Sequence, residues 1–189
     1  MITTPVREHI PIHIASLGHR SVEAAAAVAD GWLPFLFAPE YADRVWGSAL
    51  AAGTAQRSVD LATLDITAGG LFAIGPDAAA LREKARPFVA LYVGGMGAKG
   101  KNFYNDVARA YGFEREAEAV QDLYLAGRKD EAMAALPADL LEKTTLCGDA
   151  AYIRDRLAAF RAAGVTTLNV TPVDGDPLAQ IAKLRALID

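Results

Sequence analysis

The chain has 189 residues, 52% hydrophobic and 22% charged, enough apolar surface for one buried core and too much for a disordered or collagen-like chain. Its 19 basic residues against 23 acidic ones give a net charge of -4, which argues against a nucleic-acid binder, whose footprint is a basic surface. One cysteine, Cys147, excludes an internal disulfide framework. No apolar run nears the roughly 20 residues that cross a bilayer, and Pro5, Arg7, Glu8 and His9 interrupt the first ten positions, so a cytoplasmic protein without membrane contact is expected.

Residues Ile10 to Leu17, IPIHIASL, are short and isoleucine-rich, end at Gly18 and precede an alanine-rich run from Arg20 to Ala29. They read as strand, tight turn and helix. Asp30 and Gly31 should close that helix with residues that tolerate a left-handed conformation. Trp32 to Phe37 is a second strand, expected to bend or end at Pro34, which lacks a ladder donor. Pro39 to Ala52 reads as a helix with Pro39 in its first turn and Gly53 as its stop. Leu64 to Ile74 is the third strand, broken at Gly69 and Gly70. Asp77 should cap a helix running through Leu81, Ala85, Val89 and Tyr92, until Gly94 to Gly100 interrupt it.

From Asn102 to Leu141 the apolar spacing is helical throughout, with breaks at Gly112, Gly127 and Pro137. Residues about 95–141 therefore read as a helical insertion. Asp149 opens a further helix to Ala163, Gly164 caps it, Val165 to Val170 is the fourth strand, and Pro177 to Ile188 is the last helix. Thr144 to Cys147 is either a brief strand or an extended linker. Four strands alternating with helices imply parallel βαβ units and an α/β fold in a single domain, residues 1–189. Length alone favours an open sheet over a complete (β/α)8 barrel, which needs about 250 residues.

The sharpest local signal for chemistry is Ala15-Ser16-Leu17-Gly18-His19-Arg20-Ser21 between strand and helix. The first turn of a helix has unpaired N–H groups and a positive dipole end, so small residues there can hold a phosphate. Arg20 strengthens the reading, because a cation at that dipole end is disfavoured unless an anion sits between. On these grounds alone, a plain strand-to-helix turn with a solvated arginine explains the residues equally well. Gly95 to Lys101 match the first seven positions of a P-loop, but Asn102 replaces the magnesium-holding hydroxyl and the preceding stretch has helical spacing, which favours a glycine-rich inter-helix loop. Lys99 and Lys101 remain available to an anion. His9, His13 and His19 lack the cysteines or acidic cluster of a metal site, and no metal is expected. Cys147 has no base nearby in sequence and reads as a buried inert thiol. Phe103, Tyr104, Tyr111 and Tyr124 read as core packing rather than a stacking platform.

Residues 10–34, IPIHIASLGHRSVEAAAAVADGWLP, resemble the fifth strand, phosphate loop, helix and start of the sixth strand of luciferase-like flavin and deazaflavin oxidoreductases. Residues 92–137, YVGGMGAKGKNFYNDVARAYGFEREAEAVQDLYLAGRKDEAMAALP, are similar to the helical insertion of the deazaflavin-dependent branch. Residues 148–170, GDAAYIRDRLAAFRAAGVTTLNV, resemble the helix and eighth strand that close that barrel.

The resemblance implies the C-terminal half of a TIM-type (β/α)8 barrel with a helical insertion. It places the phosphate-binding backbone on Ala15, Ser16, Leu17 and Gly18, with Arg20 and Ser21 at the helix start and Phe35 facing the substrate. His19 stands where many relatives have proline, and no residue inherits a catalytic role. The implied chemistry is hydride transfer between coenzyme F420, or alternatively FMN, and a small organic substrate. The implied partner is the absent N-terminal half-barrel or a second copy of the chain. A non-catalytic module that binds phosphate or cofactor, or serves assembly, is the alternative.

Overall fold

The computed structural model describes Val6 and residues 8–188. Strands β1 (His13–Ala15), β2 (Gly31–Leu33), β3 (Asp65–Ile74), β4 (Leu146–Gly148) and β5 (Thr167–Pro172) are all parallel. Phe72 pairs with Leu146 of β4 and with Pro172 of β5, so these two strands lie on opposite edges of β3. On the edge away from β5, β2 meets Asp65 and Ile66 at the start of β3, and β4 meets its end. Among the described residues β1 and β5 each have a strand partner on one edge only. This is the arrangement of half a (β/α)8 barrel. The short segment at Thr144 to Cys147 resolves as the strand β4.

Between the strands run α1 (His19–Val28), α2 (Pro39–Ala42), α3 (Ser48–Ala55), α4 (Ala78–Ala90) and α9 (Ala150–Ala162), and α10 (Pro177–Ile188) follows β5. The insertion supplies α5 (Phe103–Ala110), α6 (Glu114–Leu125), α7 (Lys129–Ala135) and α8 (Ala138–Thr144). Asp77 and Asp149 cap α4 and α9 as expected, accepting from Ala80 N–H at 3.0 Å and Tyr152 N–H at 2.8 Å. Single π-helical turns, Asp43–Gly47 and Leu91–Gly95, join α2 to α3 and extend α4. Asn102 and Asn105 answer the carbonyls of the second turn: Asn102 donates to Tyr92 O and Val93 O, and Asn105 to Val93 O. One contiguous core joins sheet and insertion, with Trp32, Phe37, Trp46, Phe72, Leu140, Leu146 and Ile153 fully buried.

Several sequence-based boundaries give way to tertiary contacts. The first strand pairs only over His13–Ala15, and Ile10 and Ile12 are 73% and 62% exposed. By contrast, the second ends at Leu33, just before Pro34, where the missing ladder donor is expected to end it. The third runs unbroken through Gly69, where a Cβ would lie 1.9 Å from Asn169 O; the glycine lets β5 approach rather than ending the strand. Gly53 is not a stop, because α3 continues to Ala55 and a Cβ at Gly53 would meet Glu23 O at 2.2 Å and Ala26 Cβ at 2.7 Å.

The end of α1 also differs from expectation. Ala29 ends it in an extended conformation, and Arg57 donates to Ala26 O at 2.9 Å and Ala29 O at 2.6 Å. A guanidinium thus supplies both the donors and the positive charge that the C-terminal carbonyls attract. Gly31 has another role: a Cβ there would lie 2.3 Å from His13 Nδ1, so the glycine makes room for that imidazole to cross β2.

Candidate functional site

The loop after β1 delivers the chain to the N-terminus of α1. Gly18 is the N-cap residue with extended backbone and no side-chain cap, so the N–H groups of the first helical turn are not taken by a capping oxygen. The first intrahelical bond runs from Val22 N–H to Gly18 O at 2.9 Å, and Ser21 Oγ donates to the same carbonyl at 2.8 Å. Since Arg57 neutralises the other end of α1, the open polarity of this helix faces the loop.

A cavity of about 300 Å³ opens here. Ile14, Ala15, Ser16, Leu17, Gly18 and Ser21 line one side, and Leu33, Phe35, Phe103 and Tyr104 the other. Of the loop residues named from the sequence, Ala15, Ser16, Leu17, Gly18 and Ser21 lie on it, and His19 and Arg20 do not; His19 is turned to Ser48, and Arg20 stands apart. That side chain is exposed and has no hydrogen-bond or ion-pair partner among the described residues. Ser16 Oγ is buried and has no hydrogen-bond partner among the described residues, which carries a desolvation cost.

Phe35 lies at a junction. It lines the loop cavity and also a second, about 60 Å³ space bounded by Thr67, Ala68, Gly69, Gly70, Asn169 and Thr171 on β3 and β5. Its ring packs at 4.4 Å from Tyr92 and 5.5 Å from Tyr104, with Phe88 at 6.2 Å. Burial raises the Tyr104 phenol, and Tyr92 beside it adds to the shift, so this wall stays uncharged at neutral pH. Of the aromatic set read as core, Tyr111 is buried, while Phe103 is 62% exposed at the cavity. Its ring edge would meet a Cβ on Gly18 at 3.4 Å. The insertion thus furnishes one wall of the cavity, a role that helical spacing alone does not reveal.

Two residues missed in the sequence hold the loop from behind. Trp32 Nε1 donates to Ser16 O at 2.9 Å, and Trp46 Nε1 donates to Leu17 O at 2.9 Å. The only advance signal is that a buried indole needs an acceptor.

The remaining sequence candidates separate. The glycine-rich stretch from Gly95 follows α4 and its π turn rather than a strand. Asn102 Oδ1 accepts from Tyr104 N–H and Asn105 N–H as the cap of α5, and Lys99 pairs with Asp122. That geometry is not a P-loop. His9 contacts Asp30 at 2.7 Å, His13 contacts Asp65 at 3.6 Å, and His19 contacts Ser48 Oγ at 3.1 Å. Burial pushes the Cys147 thiol up to about 11, which keeps it protonated and unreactive. No helix among the described residues is long and apolar enough to cross a membrane. Met1 to Pro5 and Arg7, read above for an export signal, lie outside the described residues.

The profile of the luciferase-like monooxygenase family matches residues 1–167. The chain is 37% identical over 186 residues to Rv3520c of Mycobacterium tuberculosis, named a candidate coenzyme F420-dependent oxidoreductase; the match spans 97% of this chain and 53% of that protein. The coenzyme F420-dependent tetrahydromethanopterin reductase of Methanopyrus kandleri has the same fold, with a TM-score of 0.69 at 23% identity over 94% of this chain and 48% of its own. An F420-dependent secondary alcohol dehydrogenase in complex with an F420-acetone adduct gives 0.65 at 13% identity, over 95% and 48%. At such identities the two structures speak to the fold, and the chain spans about half the length of the relatives it matches. With a family profile across most of its length and a 37% identical relative, the chain belongs to the luciferase-like monooxygenase family.

Proposed function

We propose that this chain is the cofactor-phosphate half of a coenzyme F420-dependent oxidoreductase acting on a small organic substrate. The names of its relatives support the cofactor class, and the observation that carries the reading is the unpartnered, buried Ser16 Oγ beside the open first turn of α1. A phosphate there would accept from the Ser16 hydroxyl and from backbone N–H groups of the loop and helix start, as charge-assisted bonds. Arg20 lies outside the cavity wall and would act over a longer, salt-screened distance. Ser21, whose hydroxyl already serves Gly18 O, would contribute its backbone N–H.

When bound, the deazaflavin supplies a two-electron hydride carrier. This chain's own part is to hold the phosphate and to keep water from the apolar wall of Phe35, Phe103 and Tyr104, with Phe35 on the substrate side. We assign no proton-transfer residue within the described chain. The outer edges of β1 and β5, unpaired among the described residues, support a partner that completes the sheet, either an N-terminal half-barrel or a second copy.

Titration with inorganic phosphate, F420 and FMN, with and without an N-terminal half-barrel, tests this reading. Phosphate should bind the chain alone, and Ser16→Ala should weaken it about tenfold or more. F420 should bind more tightly than FMN in the reconstituted pair. Failure of phosphate to bind would remove the site, and preference for FMN would reassign the cofactor.

A further inference from the structure

We infer that Trp32 and Trp46 are positioning residues that aim the loop's amides at the phosphate; this rests on the loop being the phosphate site. The two indoles come from separate elements, Trp32 from β2 and Trp46 from the π-helical turn between α2 and α3. They donate to consecutive carbonyls of the same loop, Ser16 O and Leu17 O, each at 2.9 Å. In a planar trans peptide the C=O and the following N–H point in opposite directions. Drawing Ser16 O toward Trp32 therefore projects Leu17 N–H away from it, and drawing Leu17 O toward Trp46 does the same for Gly18 N–H. Without the indoles, the two carbonyls are free to turn toward the cavity, where their negative ends would repel an anion.

The indoles are themselves fixed. Trp32 and Trp46 are 0% and 1% exposed and meet edge to face at 5.3 Å, and Phe37 stacks on Trp46 at 5.9 Å with a 4° interplanar angle. Trp46 lies within the π turn, which offsets the helix register there, and such turns are frequent at functional sites. Tyr111 of the insertion packs its ring against Trp46 at 6.2 Å, which couples the insertion to the loop through one aromatic contact.

These are the chain's two tryptophans, so a ¹⁵N-labelled sample gives two indole N–H signals, assigned by Trp32→Phe and Trp46→Phe. Titration with inorganic phosphate should shift both signals with the dissociation constant measured by calorimetry. Each Phe variant, studied where circular dichroism shows it folded, should bind phosphate about threefold to tenfold more weakly. A merely structural role would lower the melting temperature without moving either the affinity or the indole signals. Phosphate binding with both indole signals unmoved, or with wild-type affinity in both folded variants, overturns the inference while leaving the phosphate site standing. No phosphate binding by the unmodified chain overturns both. Should a variant not fold, the indole shifts of the unmodified chain decide.

Discussion

Replacing Gly53 with alanine sets two physical effects against each other. In a helix interior, alanine is more favourable than glycine by about 1 kcal/mol, so propensity alone predicts a more stable protein. The structure reverses the sign. The added Cβ would lie 2.2 Å from the Glu23 carbonyl oxygen and 2.7 Å from Ala26 Cβ, and the first is backbone that no rotamer change can move aside. Helix α1 must shift away from α3, and overpacking of this kind costs about 1 to 3 kcal/mol, occasionally more. Because the clash is with backbone, we place Gly53→Ala near the upper end of that cost, a net loss of about 1 to 2 kcal/mol after the propensity gain. For a chain of this size that lowers the melting temperature by roughly 2 to 8 °C. Ala51→Gly, at an exposed position of the same helix, calibrates the propensity effect and should lose about 1 kcal/mol. Thermal and urea unfolding followed by circular dichroism measures both. A melting temperature for Gly53→Ala equal to or above that of the unmodified chain would refute the packing argument. Since α1 carries the phosphate loop at its N-terminus, the same variant should also weaken phosphate binding.

Tyr111→Phe removes a hydroxyl that donates to Leu36 O at 2.8 Å and accepts from Ala38 N–H at 3.2 Å, around the one non-glycine residue among those described with a left-handed backbone, Leu36 at φ 53°. Two buried backbone groups lose a partner, and urea unfolding should show a loss of about 1 to 3 kcal/mol. Burial alone would raise the Glu40 carboxyl, but its own backbone N–H together with Arg156 and Lys143 hold it below the ordinary value. The folded chain therefore binds fewer protons than the unfolded chain in the window just below about pH 4.5, and this contribution, complete at neutral pH, is lost as the pH falls through it. Urea midpoints at neutral and acid pH should show a shallower acid loss in Glu40→Gln, and an unchanged slope would count against the ion-pair account.

Local chemistry made the alternation of strand and helix legible. The apolar runs of strand length, the Asp77 and Asp149 caps and the left-handed Gly112, Gly127 and Gly164 depend on neighbours within a few residues, and sequence reports such neighbours directly. So did the small-residue turn at Ser16 to Ser21, because a helix N-terminus carries its unpaired amides wherever it occurs.

What the sequence by itself determined, then, was the α/β class, the helical run between Asn102 and Leu141, and the strand-turn-helix loop that heads α1. Tertiary structure decided what long-range contact alone can decide. Gly53, Gly31 and Gly69 look like punctuation in the chain, yet each is glycine because a distant atom, Glu23 O, His13 Nδ1 or Asn169 O, occupies the space of its Cβ. Arg57 ends α1 from 28 residues away, Phe103 closes the cavity from the insertion, and two indoles hold the loop's carbonyls across 16 and 29 residues. A glycine's permissiveness and an indole's need for an acceptor are written in the sequence, but which atom meets them is fixed only when the chain brings remote segments within bonding distance.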